Sequence, residues 1–149
     1  MSTKPLVCLN MYSNWCVRLP IMTQQKQAIV VEQDVLNAVR QFIMKLSKRY
    51  EIARLVLFGS RARGDHHAES DVDLAIFLNT ELSDFVRVKL DMVDDAYDIF
   101  LETEYYIQPL PVGNEADTTL LQYLNPLLLR NIRTEGIDLT SVILCSGCD

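Results

Sequence analysis

The chain has 149 residues, 49% of them hydrophobic, and a formal net charge of −6, which fits one domain with a buried core. The negative charge disfavours nonspecific nucleic-acid binding, because such binding needs a basic surface. No stretch approaches the ~18 consecutive apolar residues of a membrane span, so we expect a cytoplasmic protein that binds neither membrane nor nucleic acid directly.

The two ends of the chain carry little pattern. Residues 1–24 mix prolines and asparagines with scattered apolar residues and lack the apolar core of a secretory signal. We therefore expect a flexible extension, then a domain of residues 25–139, then a flexible tail of residues 140–149. A zinc site would need more ligands than the C-terminal Cys-x-x-Cys pair offers. We interpret all four cysteines as free thiols in a reducing compartment: Cys8, Cys16, Cys145 and Cys148.

Residues 25–50 have the periodicity of one amphipathic helix. Apolar residues recur every three or four positions, namely at Val35, Val39, Phe42, Ile43, Leu46 and Tyr50. Three cations close this segment, where positive charge suits the helix dipole. We interpret them as a solvated helix end: Lys45, Lys48 and Arg49.

The segment from Leu55 to Leu78 predicts a strand, a glycine turn and a second strand. Leu55 to Phe58 is an unbroken apolar run, and the second run begins at Val72 with Asp71 and Asp73 around it. Because side chains alternate across a strand, these two carboxylates share one face. Carboxylates held side by side repel each other unless a cation lies between them, and Mg²⁺ is the usual cation for such oxygen ligands. The alternative is a solvated turn at the mouth of a strand.

The turn between the strands has the residues of a phosphate site. Backbone N–H groups at Gly59 and Ser60 are suited to phosphate oxygens, and Arg61 and Arg63 offer guanidinium groups to neutralise them. Ser70 orients the entrance of the second strand through its hydroxyl. Together with the two aspartates, these residues predict metal-assisted transfer on a nucleoside triphosphate.

The motif itself resembles the signature of the minimal nucleotidyltransferases of the DNA polymerase beta-like superfamily. The matching residues are Gly-Ser-Arg-Ala-Arg-Gly-Asp at 59–65 and Ser-Asp-Val-Asp-Leu at 70–74. The order of the surrounding elements extends the resemblance over about 27–139. The resemblance implies a small α/β fold and an enzyme that uses ATP.

The resemblance also implies roles for individual residues. Gly59 and Ser60 would hold the triphosphate, Asp71 and Asp73 would bind two Mg²⁺ ions, and Arg63 would assist at the phosphates. The group includes antitoxins that transfer AMP from ATP to a tyrosine of a partner HEPN-domain toxin, and relatives that modify antibiotics. It therefore implies a HEPN toxin as partner.

A second helix and a third strand follow. Thr80 or Ser83 is expected to cap the helix, which ends near Glu102. Its expected buried face comprises Leu82, Val86, Leu90, Val93, Tyr97 and Phe100. A run of acids on the same helix is interpreted as a solvated outer face, namely Asp91, Asp94, Asp95 and Asp98.

The third strand is predicted at residues 105–110 and is limited to a sheet edge by its prolines. Catalytic relatives commonly place a third carboxylate here, but this strand contains none. Glu104, or the carbonyl oxygen of Gln108, is the possible third metal ligand.

The remainder predicts a short helix up to Leu124, a helix from Asn125-Pro126 to Glu135 that stops at Gly136, and a short strand at 137–139. The expected fold is one small α/β (α+β) nucleotidyltransferase domain, with a three- to four-stranded mixed sheet and helices mainly on one face. Two alternatives to protein adenylylation stay open. One is an antitoxin that binds and occludes its toxin without catalysis; the other is an aminoglycoside-type nucleotidyltransferase.

Overall fold

The computed structural model describes residues 31–114 and 125–145. Every described residue belongs to one compact unit, Val31–Asp149. Several predicted features lie outside the described residues. These are the N-terminal extension, the start of the first predicted helix, the short helix before Leu124, and three of the cysteines. Cys145 is described and is an exposed free thiol.

Helices and strands alternate along this unit. In chain order they are α1 (Gln33–Leu46), β1 (Ile52–Phe58), α2 (Ser60–Arg63), β2 (Val72–Leu78), α3 (Phe85–Thr103), β3 (Ile107–Val112), α4 (Pro126–Glu135), β4 (Ile137–Asp138) and α5 (Thr140–Ile143).

The strands form one four-stranded mixed sheet in the order β3-β2-β1-β4. β1 is antiparallel to both β2 and β4, and β3 is parallel to β2. β3 is an edge strand, as its two prolines predict, because a proline has no N–H to donate to a second neighbour. The predicted mixed sheet is confirmed.

Alternation along the strands divides the core between the two faces of the sheet. Leu55 and Leu57 of β1 pack in the larger cluster, with the buried faces of α1, α3 and α5. Val56 between them packs on the opposite face against Ala75 and against Ile132 of α4. Three helices therefore cover one face and α4 covers part of the other, which confirms helices mainly on one face.

Charged pairs join α1 to α3, and this corrects the prediction of two separate solvated surfaces. Arg49 forms an ion pair with Asp95, which is only 9% exposed, and Lys45 donates to Asp98 at 2.7 Å. Tyr50, predicted to be core, also donates its hydroxyl to an acid of α3. The acids lie on one side of α3 at helical spacing, so they face the basic end of α1.

The predicted buried face of α3 is wrong. The residues buried against the core are instead Met92, Asp95, Ala96 and Ile99. Four of the predicted core residues are exposed, from 37% at Phe100 to 64% at Val86. We refer to the resulting surface as the α3 stripe, which consists of Val86, Leu90, Val93, Tyr97 and Phe100. α3 has apolar residues on two faces, and the face with the small Ala96 and the ion-paired Asp95 is the one that packs.

The ends of the elements also differ from expectation in places. Asp84, rather than Thr80 or Ser83, caps α3 by accepting a hydrogen bond from the Arg87 amide. α4 begins with the predicted Asn125 cap and first-turn proline. Residues predicted to begin a flexible tail at position 140 instead form α5 (Thr140–Ile143), and the Thr140 hydroxyl accepts a hydrogen bond from the Leu55 amide of β1 at 3.0 Å. Within the described residues, no helix is long and apolar enough to cross a membrane.

Candidate active site

The pairing of β1 with β2 brings the glycine turn onto the aspartate strand. Phe58 at the end of β1 lies opposite Asp73, so the next residue, Gly59, lies over the Asp73 side chain. A Cβ atom at Gly59 would lie 2.2 Å from Asp73 Oδ2. Gly59 also has φ 78° and ψ −155°, a conformation that side-chain-bearing residues rarely adopt. Only glycine allows this close approach of turn and carboxylate.

The turn continues directly into the short helix α2. The amides of Ala62 and Arg63 donate to the Gly59 carbonyl. A helix leaves its first amides without intrahelical partners, and no side chain caps this one. The amides of Ser60 and Arg61 are therefore the donors that this turn presents beside Asp73.

The two aspartates influence each other electrostatically. Half-burial and the neighbouring charge of Asp71 raise the pKa of Asp73 above its ordinary value, whereas Arg63 and Lys89 oppose this shift. The two carboxylates therefore repel each other in a partly desolvated place, which favours a bound cation. This is the arrangement that alternation along β2 predicts.

Two cations flank Asp73, and only one of them is evident from the motif. Arg63 is exposed and forms ion pairs with Asp65 at 3.3 Å and Glu135 at 3.6 Å. Lys89 of α3 is partly buried and donates to the Pro109 carbonyl at 2.8 Å. Burial lowers the pKa of Lys89, against the opposing attraction of Asp73. Lys89 is not evident from the sequence, because nothing local in α3 shows that its side chain reaches the neighbourhood of Asp73.

Arg61 is only 5% exposed and holds the loop before β2 in place. It donates to the carbonyls of Ser70 and Ala68, at 3.1 and 3.3 Å, and forms an ion pair with Glu32 at 2.9 Å. The Ser70 hydroxyl accepts a hydrogen bond from the His67 amide at 2.8 Å. Arg61 and Ser70 thus fix the backbone that leads into Asp71.

The two possible third ligands lie at different places. Gln108 of β3 is in register with Asp73, so its side chain lies on the same face of the sheet. Glu104 is not part of β3, because it ends α3 in a left-handed conformation with φ 66°. No group of three or more histidine, cysteine, aspartate or glutamate side chains that could hold a metal occurs in residues 31–114 and 125–145.

The donor set nevertheless fits magnesium. Mg²⁺ is commonly held by one or two carboxylates together with substrate phosphates and water. Asp71 and Asp73 supply the carboxylates, and the glycine at position 59 leaves the space beside the Asp73 oxygen that a Cβ would fill.

A pocket of about 570 Å³ opens next to Asp71. The loop before β2 forms one wall, and aromatic side chains from α3 and the start of β3 form the other. Its principal lining residues are Asp71, Tyr97, Phe100, Glu104 and Tyr106. Tyr97 and Phe100 belong to the α3 stripe as well, so the exposed apolar surface of α3 leads into the pocket.

Comparison with known proteins places this motif in a family. The family model described as "Polymerase beta, Nucleotidyltransferase" matches residues 40–142. A protein of Methanocaldococcus jannaschii, named as a putative protein adenylyltransferase, is 44% identical over 42 residues. That match covers 27% of this chain and 42% of the relative, so the chain aligns with less than half of that protein.

Solved structures show weaker similarity. A toxin–antitoxin structure with AMP-PNP has a TM-score of 0.44 and 22% sequence identity, covering 67% of this chain and 71% of that one. A putative nucleotidyltransferase from Sulfolobus solfataricus has a TM-score of 0.43 and 15% identity, covering 76% and 88%.

Proposed function

Because the chain belongs to the polymerase beta nucleotidyltransferase family, we propose that it transfers AMP from ATP to a tyrosine hydroxyl of a partner HEPN-domain toxin, and so acts as an antitoxin. The observation that carries the proposal is the contact between Gly59 and Asp73, since it joins a phosphate-type turn to a carboxylate pair. The similarity to a protein adenylyltransferase supports AMP as the group transferred.

The β- and γ-phosphates of ATP belong at the glycine turn. The amides of Ser60 and Arg61 supply donors there, and the Ser60 hydroxyl adds another. Arg63 neutralises phosphate charge, and its present partners Asp65 and Glu135 are exposed. Exposed ion pairs contribute little stability, so exchanging them for phosphate costs little. The Arg61 side chain acts at a distance from the nucleotide, by holding the loop that positions Asp71.

Asp71 and Asp73 are the residues that would hold Mg²⁺, with the carbonyl oxygen of Gln108 beside them. When bound, Mg²⁺ offsets the negative charge of the triphosphate and of the two carboxylates. Lys89 adds positive charge from the other side of Asp73. In this arrangement the α-phosphate would lie between the Gly59 turn and the two aspartates at the start of β2.

The reaction breaks a phosphoanhydride bond of ATP and forms a phosphoester bond to the acceptor. The acceptor oxygen forms a bond to the α-phosphorus, and the bond from that phosphorus to the oxygen bridging to the β-phosphate breaks. Pyrophosphate leaves, and the acceptor hydroxyl gives up its proton. The turn at Gly59 stabilises the leaving group, because its donors face the negative charge that develops there.

The α3 stripe is the surface proposed for the partner. Its residues recur at alternating steps of four and three from Val86 to Phe100, which is the spacing of a helix–helix contact. The fourteen helical steps from Val86 to Phe100 span about 21 Å at 1.5 Å per step, more than a small-molecule acceptor covers. Because the stripe leads into the pocket beside Asp71, a helical protein seated on it would bring its own side chains to the site.

Gln108 favours a second candidate function. The position next to Asp73 on β3 holds an amide, which cannot accept a proton at neutral pH as a carboxylate can. A protein with this site could bind ATP and its toxin but neutralise the toxin by occlusion, without turnover.

Incubation with α-labelled ATP, Mg²⁺ and a candidate HEPN-domain partner separates the two functions. The proposal predicts label on the partner, with Asp71→Asn abolishing it. If the wild type transfers no label, and Asp71→Asn neutralises the toxin as well as the wild type does, occlusion is the function and the transferase proposal fails.

A further inference from the structure

Another cavity lies on the sheet face that α4 partly covers, away from the catalytic aspartates. Its volume is about 240 Å³, and its lining residues are Arg54 of β1, Phe77 of β2, and Leu129, Ile132 and Arg133 of α4. We propose that this cavity is a second anion site, which binds a small phosphate ester. The two arginines hold the phosphate, and the apolar floor holds the organic group. This site does not depend on the nucleotidyltransferase function proposed above.

The cavity and the catalytic site lie at different places along the same two strands. Arg54 and Phe77 are cross-strand partners, and Phe77 follows Asp73 by four residues on β2, which is about 13 Å at 3.3 Å per residue. Ala75, between Asp73 and Phe77, is buried in one cluster with Ile132 of α4. Packed apolar side chains therefore separate the cavity from the aspartates.

Arg54 is held so that the outer end of its guanidinium group faces a ligand. Its Nε donates to Asp138 at 2.9 Å, and its guanidinium carbon lies 5.6 Å from the centroid of the Phe77 ring, which is within the range of a cation–π contact. Within residues 31–114 and 125–145, its two terminal nitrogens make no hydrogen bond or ion pair. Two parallel N–H donors of this kind match two oxygens of one anion.

Arg133 supplies the second positive charge. It lies in the last turn of α4 and forms no ion pair in the part of the chain that the structure describes. A phosphate ester has three acceptor oxygens and about −1.5 to −2 charges at pH 7, so Arg54 can bind two oxygens and leave the third for Arg133. A carboxylate has only two oxygens, and Arg54 alone would use both. The pair of arginines therefore favours a phosphate over a carboxylate.

The remainder of the cavity limits the organic group of the ester. Its floor is apolar and consists of Phe77, Leu129 and Ile132. The volume of about 240 Å³ is below the range of drug-sized ligand sites, roughly 300–1,000 Å³. It fits a phosphate with one compact ring, whereas the nucleoside and three phosphates of ATP are too large for it.

Three probes separate the charge of the ligand from its organic group: phenyl phosphate, benzoate and inorganic phosphate. Each is titrated calorimetrically into the full chain, with a non-hydrolysable ATP analogue and Mg²⁺ present to fill the catalytic site. Phenyl phosphate is expected to bind at least ~10-fold more tightly than benzoate, because it makes one more charge-assisted contact, and more tightly than inorganic phosphate. Equal affinity for benzoate would overturn the phosphate assignment, and equal affinity for inorganic phosphate would overturn the ester.

Arg133→Gln removes one guanidinium group and leaves the pair of Arg54 with Asp138 in place. It should weaken the binding of phenyl phosphate at least ~10-fold, the loss of one charge-assisted hydrogen bond, while thermal unfolding checks that the fold is kept. Arg130→Gln is the matched control, because Arg130 is also an exposed arginine of α4 but does not line the cavity. Equal weakening in the two variants would indicate general charge attraction and overturn the site.

Repeating the titration without the ATP analogue separates this proposal from the proposed transferase function. Phenyl phosphate binding that Arg133→Gln weakens in both conditions supports the second anion site, whatever the outcome of the AMP-transfer assay. Binding that the analogue abolishes, or that Arg133→Gln leaves unchanged, would place the ester outside this cavity and overturn the proposal.

Discussion

Gly59→Ala is the most informative single substitution in this protein. The new Cβ would lie 2.2 Å from Asp73 Oδ2, whereas non-bonded carbon and oxygen atoms separate by about 3.5 Å. The carboxylate or the turn must therefore move by roughly 1.3 Å. A displacement of about 1 Å in a catalytic group costs on the order of 100-fold in rate, so transfer should fall at least that far. The backbone conformation adds strain of about 1–3 kcal/mol.

Gly64→Ala is the matched control for backbone strain. Gly64 also has positive φ, at 88°, but nothing lies within 4 Å of the position of its Cβ. This variant should lose about 1–2 kcal/mol of stability and keep its affinity for nucleotide. Urea unfolding measures the stability of both variants, and calorimetric titration with a non-hydrolysable ATP analogue and Mg²⁺ measures the site.

A double-mutant cycle isolates the contact itself. In an Asp73→Ala background the clash is absent, so Gly59→Ala should cost less stability there than in the wild type. Equal costs in the two backgrounds, together with nucleotide affinity like that of Gly64→Ala, would refute the proposed apposition of turn and carboxylate.

Three further substitutions test other parts of the account. Asp73→Asn should increase the free energy of unfolding at neutral pH without metal, because a carboxyl whose pKa is raised in the folded state stabilises it only below that pKa. The gain should vanish in urea titrations below pH ~4, near the ordinary aspartate pKa, and a gain that persists there contradicts this reasoning. Arg61→Lys should lower stability by about 2 kcal/mol, because an ammonium cannot bond both loop carbonyls and Glu32; unchanged thermal unfolding would argue against that clamp. Leu90→Arg on the α3 stripe should abolish co-purification with the proposed HEPN partner, whereas Leu127→Arg on α4, where the leucine is 67% exposed, should not. Equal retention of the partner by both, or photocrosslinks from position 90 to a second copy or to residues 1–30, would assign the stripe another occupant.

The part of the site that could be predicted from the sequence is the part whose geometry is local. Alternation along β2 places Asp71 and Asp73 on one face whatever the rest of the chain does. The apolar run of β1 ending at Gly59 likewise predicts a turn at the end of a buried strand. The contact between Gly59 and Asp73 then follows from the antiparallel register of two neighbouring strands.

The features that the sequence did not reveal depend on tertiary packing. α3 has apolar residues on two faces, and periodicity alone does not indicate which face meets α1. The small side chain of Ala96 and the ion pair of Asp95 with Arg49 determine that choice, and both involve a distant partner. The positions of Lys89 and Glu104 near the site also depend on tertiary packing. One extends from α3 to the backbone of β3, and the other lies on the pocket wall because α3 ends beside the loop that precedes β2.

The central claim is that Asp71, Asp73 and the Gly59 turn together hold a magnesium–nucleotide complex. Calorimetric titration of a non-hydrolysable ATP analogue, with and without Mg²⁺, tests it most directly in the wild type and in Asp71→Asn and Asp73→Asn. The account predicts binding that requires Mg²⁺ and weakens at least ~10-fold in each variant. Equal affinity in all three proteins, or affinity that does not depend on Mg²⁺, would contradict it.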